Sequence, residues 1–367
     1  MISCLFVHVS RRAQQLAFGL LFAALALPTL AENLAQGKAD AAAPHIGLIL
    51  PLNAPAFRQA AEAVKQGFLT AAQVQLGAPA VRIYPTSDDV SNILAVYQQA
   101  LDNGARVIVG PLTKNAVTAL AESDITLVPT LALSVPDTDV ARPNNLYLFG
   151  LSLDAEARQA AQFIAHQGHH SLLIISAANA LGKRLQTAFG AAWQHLGEQT
   201  VGRIRFMPGA DLYALHEQVM ALQPDAIFLA TNAQEARTIY PSLSGTITTY
   251  ATSQVFSGGS NAQHNTDLNG VRFLDMPWLL QPDHPAVMIY PRAAQTLSAD
   301  DERLYALGID AFRLAQLFFR GTMPAGGDVL DGVTGQISLN ANREFTRQLT
   351  AAEFQDNIVV VLDHDQP

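Results

Sequence analysis

Between His45 and Gln73 the chain switches its hydrophobic period once, and that switch recurs along most of its length. Ile46 to Leu50 is a continuous apolar run, the pattern of a strand buried on both faces. Pro51 stops it, and Leu52 to Pro55 reads as a short loop. Ala60, Ala61, Val64, Phe68 and Ala71 then recur at three- and four-residue steps, which is one face of a helix. A buried strand, a loop and an amphipathic helix make the first half of a βαβ unit. In such sheets ligands sit beyond the carboxyl ends of the strands, so loops such as 52–55 point at any cleft.

The alternation continues. Strands are expected at Val81–Tyr84, Arg106–Val109, Thr126–Leu133 (interrupted by Pro129) and Tyr147–Leu151. Between them lie a helix capped by Ser91 and reaching about Asn103, ended by Gly104, and another to about Glu122. The layout restarts at Ser152, where Asp154 is expected to cap a helix closed by Gly168. Strands at Ser171–Ile175, Val201–Phe206, Ala226–Ala230, Thr248–Thr252 and Gly270–Leu274 follow, with helices at Asn179–Leu196, Tyr213–Leu222 and Ala233–Tyr240. Met276 to Pro282 reads as a crossing segment. The strongest helix runs from Ser298 to Phe319, with Leu304, Leu307, Ala311, Leu314, Ala315 and Phe318 as its stripe. Gly321 to Gly327 breaks it, and Gly335–Leu339 and Asn357–Leu362 are the last expected strands. Two blocks of alternating strand and helix predict two doubly wound α/β lobes.

A length of 367 residues agrees with two lobes. A content of 49% hydrophobic and 14% charged residues indicates a folded chain. The net charge of −9, with no basic stripe, argues against nucleic acid as a partner. Arg11 and Arg12, the apolar stretch Leu16–Leu30 and the small-residue end Thr29-Leu30-Ala31 read as a signal peptide over residues 1–31, followed by a leader over 32–43. A retained anchor helix is the alternative, although the stretch is short for a span. Cleavage removes two arginines and no acids, leaving −11 and no transmembrane helix. The single cysteine, Cys4, precedes the apolar stretch, so the mature chain has no disulfide or thiol chemistry and no lipid-attachment cysteine.

Leu48-Ile-Leu-Pro-Leu52, Val107-Ile-Val-Gly-Pro-Leu112 and Gly332-Val-Thr-Gly-Gln-Ile337 resemble the type I periplasmic binding-protein fold. That resemblance implies three crossings between lobes, near Ser152, Pro277 and Gly332. Residues 44–151 plus 277–331 would form lobe 1, and 152–276 plus 332–367 lobe 2. Within the fold, Leu268-Asn-Gly-Val-Arg-Phe-Leu-Asp-Met-Pro-Trp278, Gln281-Pro-Asp-His-Pro285 and Arg303-Leu-Tyr-Ala-Leu-Gly-Ile-Asp-Ala311 are similar to the LppC/LpoA family. Its members activate bifunctional class A penicillin-binding proteins in cell-wall synthesis. The resemblance implies a non-enzymatic periplasmic regulator at the inner face of the outer membrane, with a peptidoglycan synthase as partner. Many members carry a helical repeat domain ahead of the α/β part, whereas residues 32–43 alone separate the signal segment from the first strand here.

No catalytic constellation is visible: G-x-S-x-G, G-x-x-x-x-G-K-[ST] and strand-linked G-x-G-x-x-G are all missing, and no cofactor is expected. Gly258-Gly259-Ser260 is a loop, and Asp88-Asp89 reads as a turn and cap. His169 and His170 are adjacent and diverge on a regular element, while His264, His284 and His364 lack ligand spacing, so no metal is expected. Topology places Asn53, Thr113, Ser134, Thr231 and Ser253 at strand exits, where they would line a cleft with small neutral hydrogen-bonding groups. Leu181 stands where amino-acid receptors of this fold often carry an aromatic, so a small neutral or saccharide-like ligand fits better than an amino acid. Trp278 and Leu279 are candidate partner contacts, tryptophan being enriched in hot spots. Asp310 is either a hinge or partner contact or a helix acid paired with Arg313 or Arg303. A solute-binding receptor of an uptake system, closing about its hinges on a small ligand, is the alternative function.

Overall fold

The computed structural model describes residues 43–136, 141–243, 245–258, 265–323 and 327–362. The expected signal segment with Cys4, nearly all of the leader, Gly259, Ser260, His264 and His364 lie outside them. The strands are β1 His45–Leu50, β2 Val81–Pro85, β3 Ala105–Val109, β4 Thr130–Ala132, β5 Leu146–Leu148, β6 Ser171–Ala177, β7 Gln199–Phe206, β8 Ala226–Ala230, β9 Thr248–Ala251, β10 Val271–Asp275, β11 Gly327–Gly332, β12 Gly335–Leu339, β13 Phe345–Gln348, β14 Thr350–Gln355 and β15 Ile358–Val361. The α-helices are α1 Arg58–Val74, α2 Val90–Asp102, α3 Lys114–Ala121, α4 Leu153–His166, α5 Ala180–His195, α6 Leu212–Leu222, α7 Ala233–Ile239, α8 Pro277–Leu280, α9 Pro285–Met288 and α10 Ala299–Arg320.

Two sheets carry the fold. The first, in order β2-β1-β3-β4-β5, is parallel throughout. The second runs β15-β14-β10-β9-β8-β6-β7, parallel from β10 to β7 with two antiparallel strands at its end. All six residues of β1 are buried, as its unbroken apolar run requires. The helix after the break at Ser152 is capped by Ser152 itself, whose hydroxyl accepts from the Ala155 amide, and not by Asp154. Ser298 caps α10 as its position suggests, accepting from the Asp301 amide.

The third crossing differs from the expectation. β11, β12 and β13 form their own antiparallel sheet, which touches lobe 1 through a parallel bridge between Leu148 and Glu344. Phe345 packs edge-on against Phe149 and Phe318, both on the lobe 1 side. Only β14 and β15 join the second sheet, through pairing of β14 with β10. The chain therefore crosses at Leu349, between β13 and β14, and not at Gly332: the aromatic contacts of Phe345 hold residues 332–348 beside lobe 1.

Candidate functional site

At the exits of β3 and β4 a cleft of about 480 Å³ opens between the lobes. Thr113 sits at the N-terminus of α3, where its hydroxyl accepts from the Ala116 amide and donates to Asp88 Oδ1 at 2.6 Å. The Asn115 amide donates to the Asp88 carbonyl, so Asp88 links two exit loops. Its neighbour Asp89 caps α2, accepting from the Ser91 and Asn92 amides; Ser91, the residue expected to cap this helix, is its second residue, because the carboxylate two positions earlier takes the free amides. Ser134, Ser152 and Arg184 add polar groups, and Leu112, Leu133, Leu304 and Leu307 form an apolar wall. Arg184 comes from lobe 2 and grips Asp154 through two 2.8 Å hydrogen bonds, which hold that carboxyl below its ordinary range. Among the expected cleft residues, Thr113 and Ser134 line this space. Asn53 is exposed and anchored by its backbone amide to the Thr86 carbonyl, and Leu181 packs half-buried against the core. Thr231 and Ser253 are sealed inside lobe 2.

What covers Ser253 is the joint between lobes. Asp275 ends the apolar strand β10 and is 1% exposed; Arg303, from α10, is 5% exposed. Their closest approach is 2.7 Å, from Arg303 Nη2 to Asp275 Oδ2. The same nitrogen also donates to the Ser253 and Phe256 carbonyls at 2.9 Å, and Nη1 reaches Asp300 at 2.7 Å. Burial disfavours the charged guanidinium, but the Asp275 carboxylate more than offsets it and raises its pKa. The helix of lobe 1 thereby occupies the strand exits of lobe 2.

Trp278 and Asp310, from the same stretches resembling LppC/LpoA, pack on the lobe 1 side of this joint. Trp278 is fully buried, with its ring 5.5 Å from that of Tyr305 and its Nε1 donating to Glu302 at 2.6 Å. Arg292 covers the ring at 3.8 Å. Asp310, also fully buried, accepts from the Val333 and Thr334 amides, the Thr334 hydroxyl and Arg313. Trp278 and Asp310 are thus internal ties, not partner contacts, and Leu279 is half-buried against the core. A tryptophan flanked by Leu279 and Leu280 has the composition of a hot spot and of a core alike, and here tertiary packing makes it core.

Glu156, within lobe 2, lies beside the joint. Its carboxyl is 5% exposed and accepts from the Ser253 hydroxyl at 2.7 Å. Burial pushes its pKa up against that hydrogen bond. The folded protein thus holds this proton more tightly than the unfolded chain. The associated stability is present at low pH and lost as pH rises from the ordinary glutamate value of about 4.3 through the raised folded value. Glu156→Gln keeps an acceptor for Ser253 and cannot ionise. Its melting temperature should exceed that of the wild type at pH 7 and converge with it near pH 4, which thermal melts across that range would read directly.

The histidines serve local roles. His169 bonds the Tyr250 hydroxyl, His170 bonds Glu198, and His284 accepts the Ala286 amide at the start of α9. Among the described residues no group of three or more His, Cys, Asp or Glu side chains could hold a metal ion. Nor, among them, is any helix long and apolar enough to cross a membrane.

The sequence profile of the LppC family, described as proposed lipoproteins, matches residues 21–224 and 199–357. The penicillin-binding protein activator LpoA of Pantoea ananatis is 32% identical over 76% of this chain and 47% of its own length. That of Pectobacterium parmentieri is 30% identical over 77% and 48%. The chain spans about half the length of these curated relatives. Among solved structures, a proposed branched-chain amino acid ABC transporter from Chromobacterium violaceum superposes with a TM-score of 0.74 at 36% identity, covering 85% of this chain and all of that one. The C-domain of Haemophilus influenzae LpoA, a regulator of PBP1A, gives 0.71 at 24% identity over 88% of this chain and all of that domain.

Proposed function

We propose, because this chain belongs to the LppC family, that it is a non-enzymatic periplasmic regulator that stimulates a class A penicillin-binding protein by surface contact. The observation that carries this reading is the joint. The run similar to the family is spent inside the molecule: Asp275 with Arg303 ties the two lobes into one body, while Trp278 with Tyr305 and Asp310 with Thr334 seat α10 on the lobe 1 side of that tie. A chain fastened across the exits of its own second sheet is suited to presenting a fixed outer surface. The names of the LpoA relatives support the choice of partner. The family description, which is of lipoproteins, supports a place at a membrane surface.

The test mixes the chain from Glu32 onward with the class A synthases of the same organism. Co-purification with one of them, together with faster glycan polymerisation or cross-linking, is the expected result. Failure to bind any of them sinks the proposal. A second reading, a solute receptor, is favoured by the 480 Å³ cleft with Thr113 and Ser134 at its wall and by the Chromobacterium structure. Under that reading a small neutral solute raises the melting temperature in a saturable way.

A further inference from the structure

A second and larger hollow, about 960 Å³, adjoins the first at Gly150 and Ser152. One wall is a continuous face of α4, and the other is β13 with the turn before it. Arg347 on β13 lines it. Among the described residues the Nη1 of this arginine is buried with no hydrogen-bond partner, and its Nη2 reaches only the Gly150 carbonyl, at 3.4 Å. No carboxylate pairs with it among the described residues. Asp275 is held by Arg303 and Asp310 by Arg313, while burial biases Glu156 toward its neutral form. An under-bonded guanidinium beside an open groove is costly to leave unmatched, and its fork fits a carboxylate. Arg158 lines the same groove and adds positive charge on a chain of net −9.

The walls narrow the choice of anion. Gln159 already shows what β13 accepts. Its amide donates to the Arg347 carbonyl and receives the Leu349 amide, pairing with the strand as a peptide group does. Gln162 and Gln348 present further amides, each exposed along the groove. Side-chain amides offer both donor and acceptor to a backbone. Glu344, just before β13 and three residues from Arg347, about 10 Å at a strand's rise, directs a negative group toward the Arg347 end.

We propose that the groove between α4 and β13 binds a short extended peptide with a free carboxylate, and that Arg347 receives that carboxylate. The proposal stands independently of the activator reading. Tetraalanine with a free C-terminus and its C-terminal amide are the probes, titrated into the mature chain by calorimetry and followed by amide NMR. The free acid should bind saturably, with shifts confined to α4 and β13. The amide should bind at least about tenfold more weakly, the loss of one charge-assisted contact. Arg347→Gln should abolish the difference between acid and amide, and Arg347→Lys should restore part of it. Gln162→Ala, on an exposed wall position, tests the groove even if the arginine variants fold poorly, and should weaken both probes. No saturable binding of the acid up to about 10 mM, equal binding of acid and amide, or shifts lying elsewhere would each overturn the proposal.

Discussion

Arg303→Met should lower the unfolding free energy by about 3–5 kcal/mol, the range for removing one partner of a buried ion pair. Asp275 would remain at 1% exposure with no guanidinium, and the Ser253 and Phe256 carbonyls would lose a donor. Urea unfolding measures the loss, which corresponds to a fall in melting temperature of about 4–7 °C. Most of the penalty comes from the stranded carboxylate rather than from a large net contribution of the pair. The double variant Asp275→Leu/Arg303→Met should therefore recover much of the loss, and the two substitutions should be strongly non-additive. A loss below about 1 kcal/mol for Arg303→Met would show that the lobes are fastened elsewhere.

That ion pair also marks where sequence reading stops. The alternation of strand and helix was legible because buried strands and amphipathic helices have distinct periods, and β1 and α10 stand close to where the pattern puts them. The strands β13 and β14 carry no such signal. Phe345-Thr-Arg-Gln348 and Thr350-Ala-Ala-Glu-Phe-Gln355 are polar or alanine-rich, and pairing with β12 and β10 makes them strands. The third crossing moved with them. In the cleft, Thr113 and Ser134 followed from topology, but Thr231 is buried within lobe 2 and Ser253 is covered by a side chain from a helix fifty residues further along. A physical clue was present. Asp275 closes an apolar strand and Arg303 adjoins the apolar stripe of α10, and charges in such places need each other. No local spacing connects them, so only the tertiary structure pairs them. Asp310 was legible in part: Arg313, one turn on, is its partner, while the grip on Thr334 was not foreseeable.

Gly308→Ala should be as damaging as loss of the ion pair, for a steric reason. Helices α1 and α10 cross with glycines at the contact. A Cβ on Gly308 would lie 2.1 Å from the Val64 carbonyl oxygen, and one on Gly67 would lie 1.9 Å from that of Tyr305. Both obstacles are backbone atoms, so no rotamer change relieves them, and the helices must separate. Separation pulls apart the buried edge-on pair of Phe68 and Phe312, whose centroids are 5.3 Å apart. Each alanine should cost about 3 kcal/mol or more, the upper range for overpacking, despite the better helix propensity of alanine. Gly190→Ala in α5 is the control. There a Cβ would meet only the end of the Arg203 side chain at 3.4 Å and Ile174 Cδ1 at 3.8 Å. That variant should be neutral or more stable by up to about 1 kcal/mol. Denaturant midpoints of the three single variants separate the two causes. Equal losses at all three positions would mean that helix packing in general is fragile. Loss at 67 and 308 alone would place the stability of lobe 1 in the close crossing, where Gly308 belongs to the same family-like run as Arg303 and Asp310. That run would then fix both how α10 seats in its own lobe and how it fastens the other.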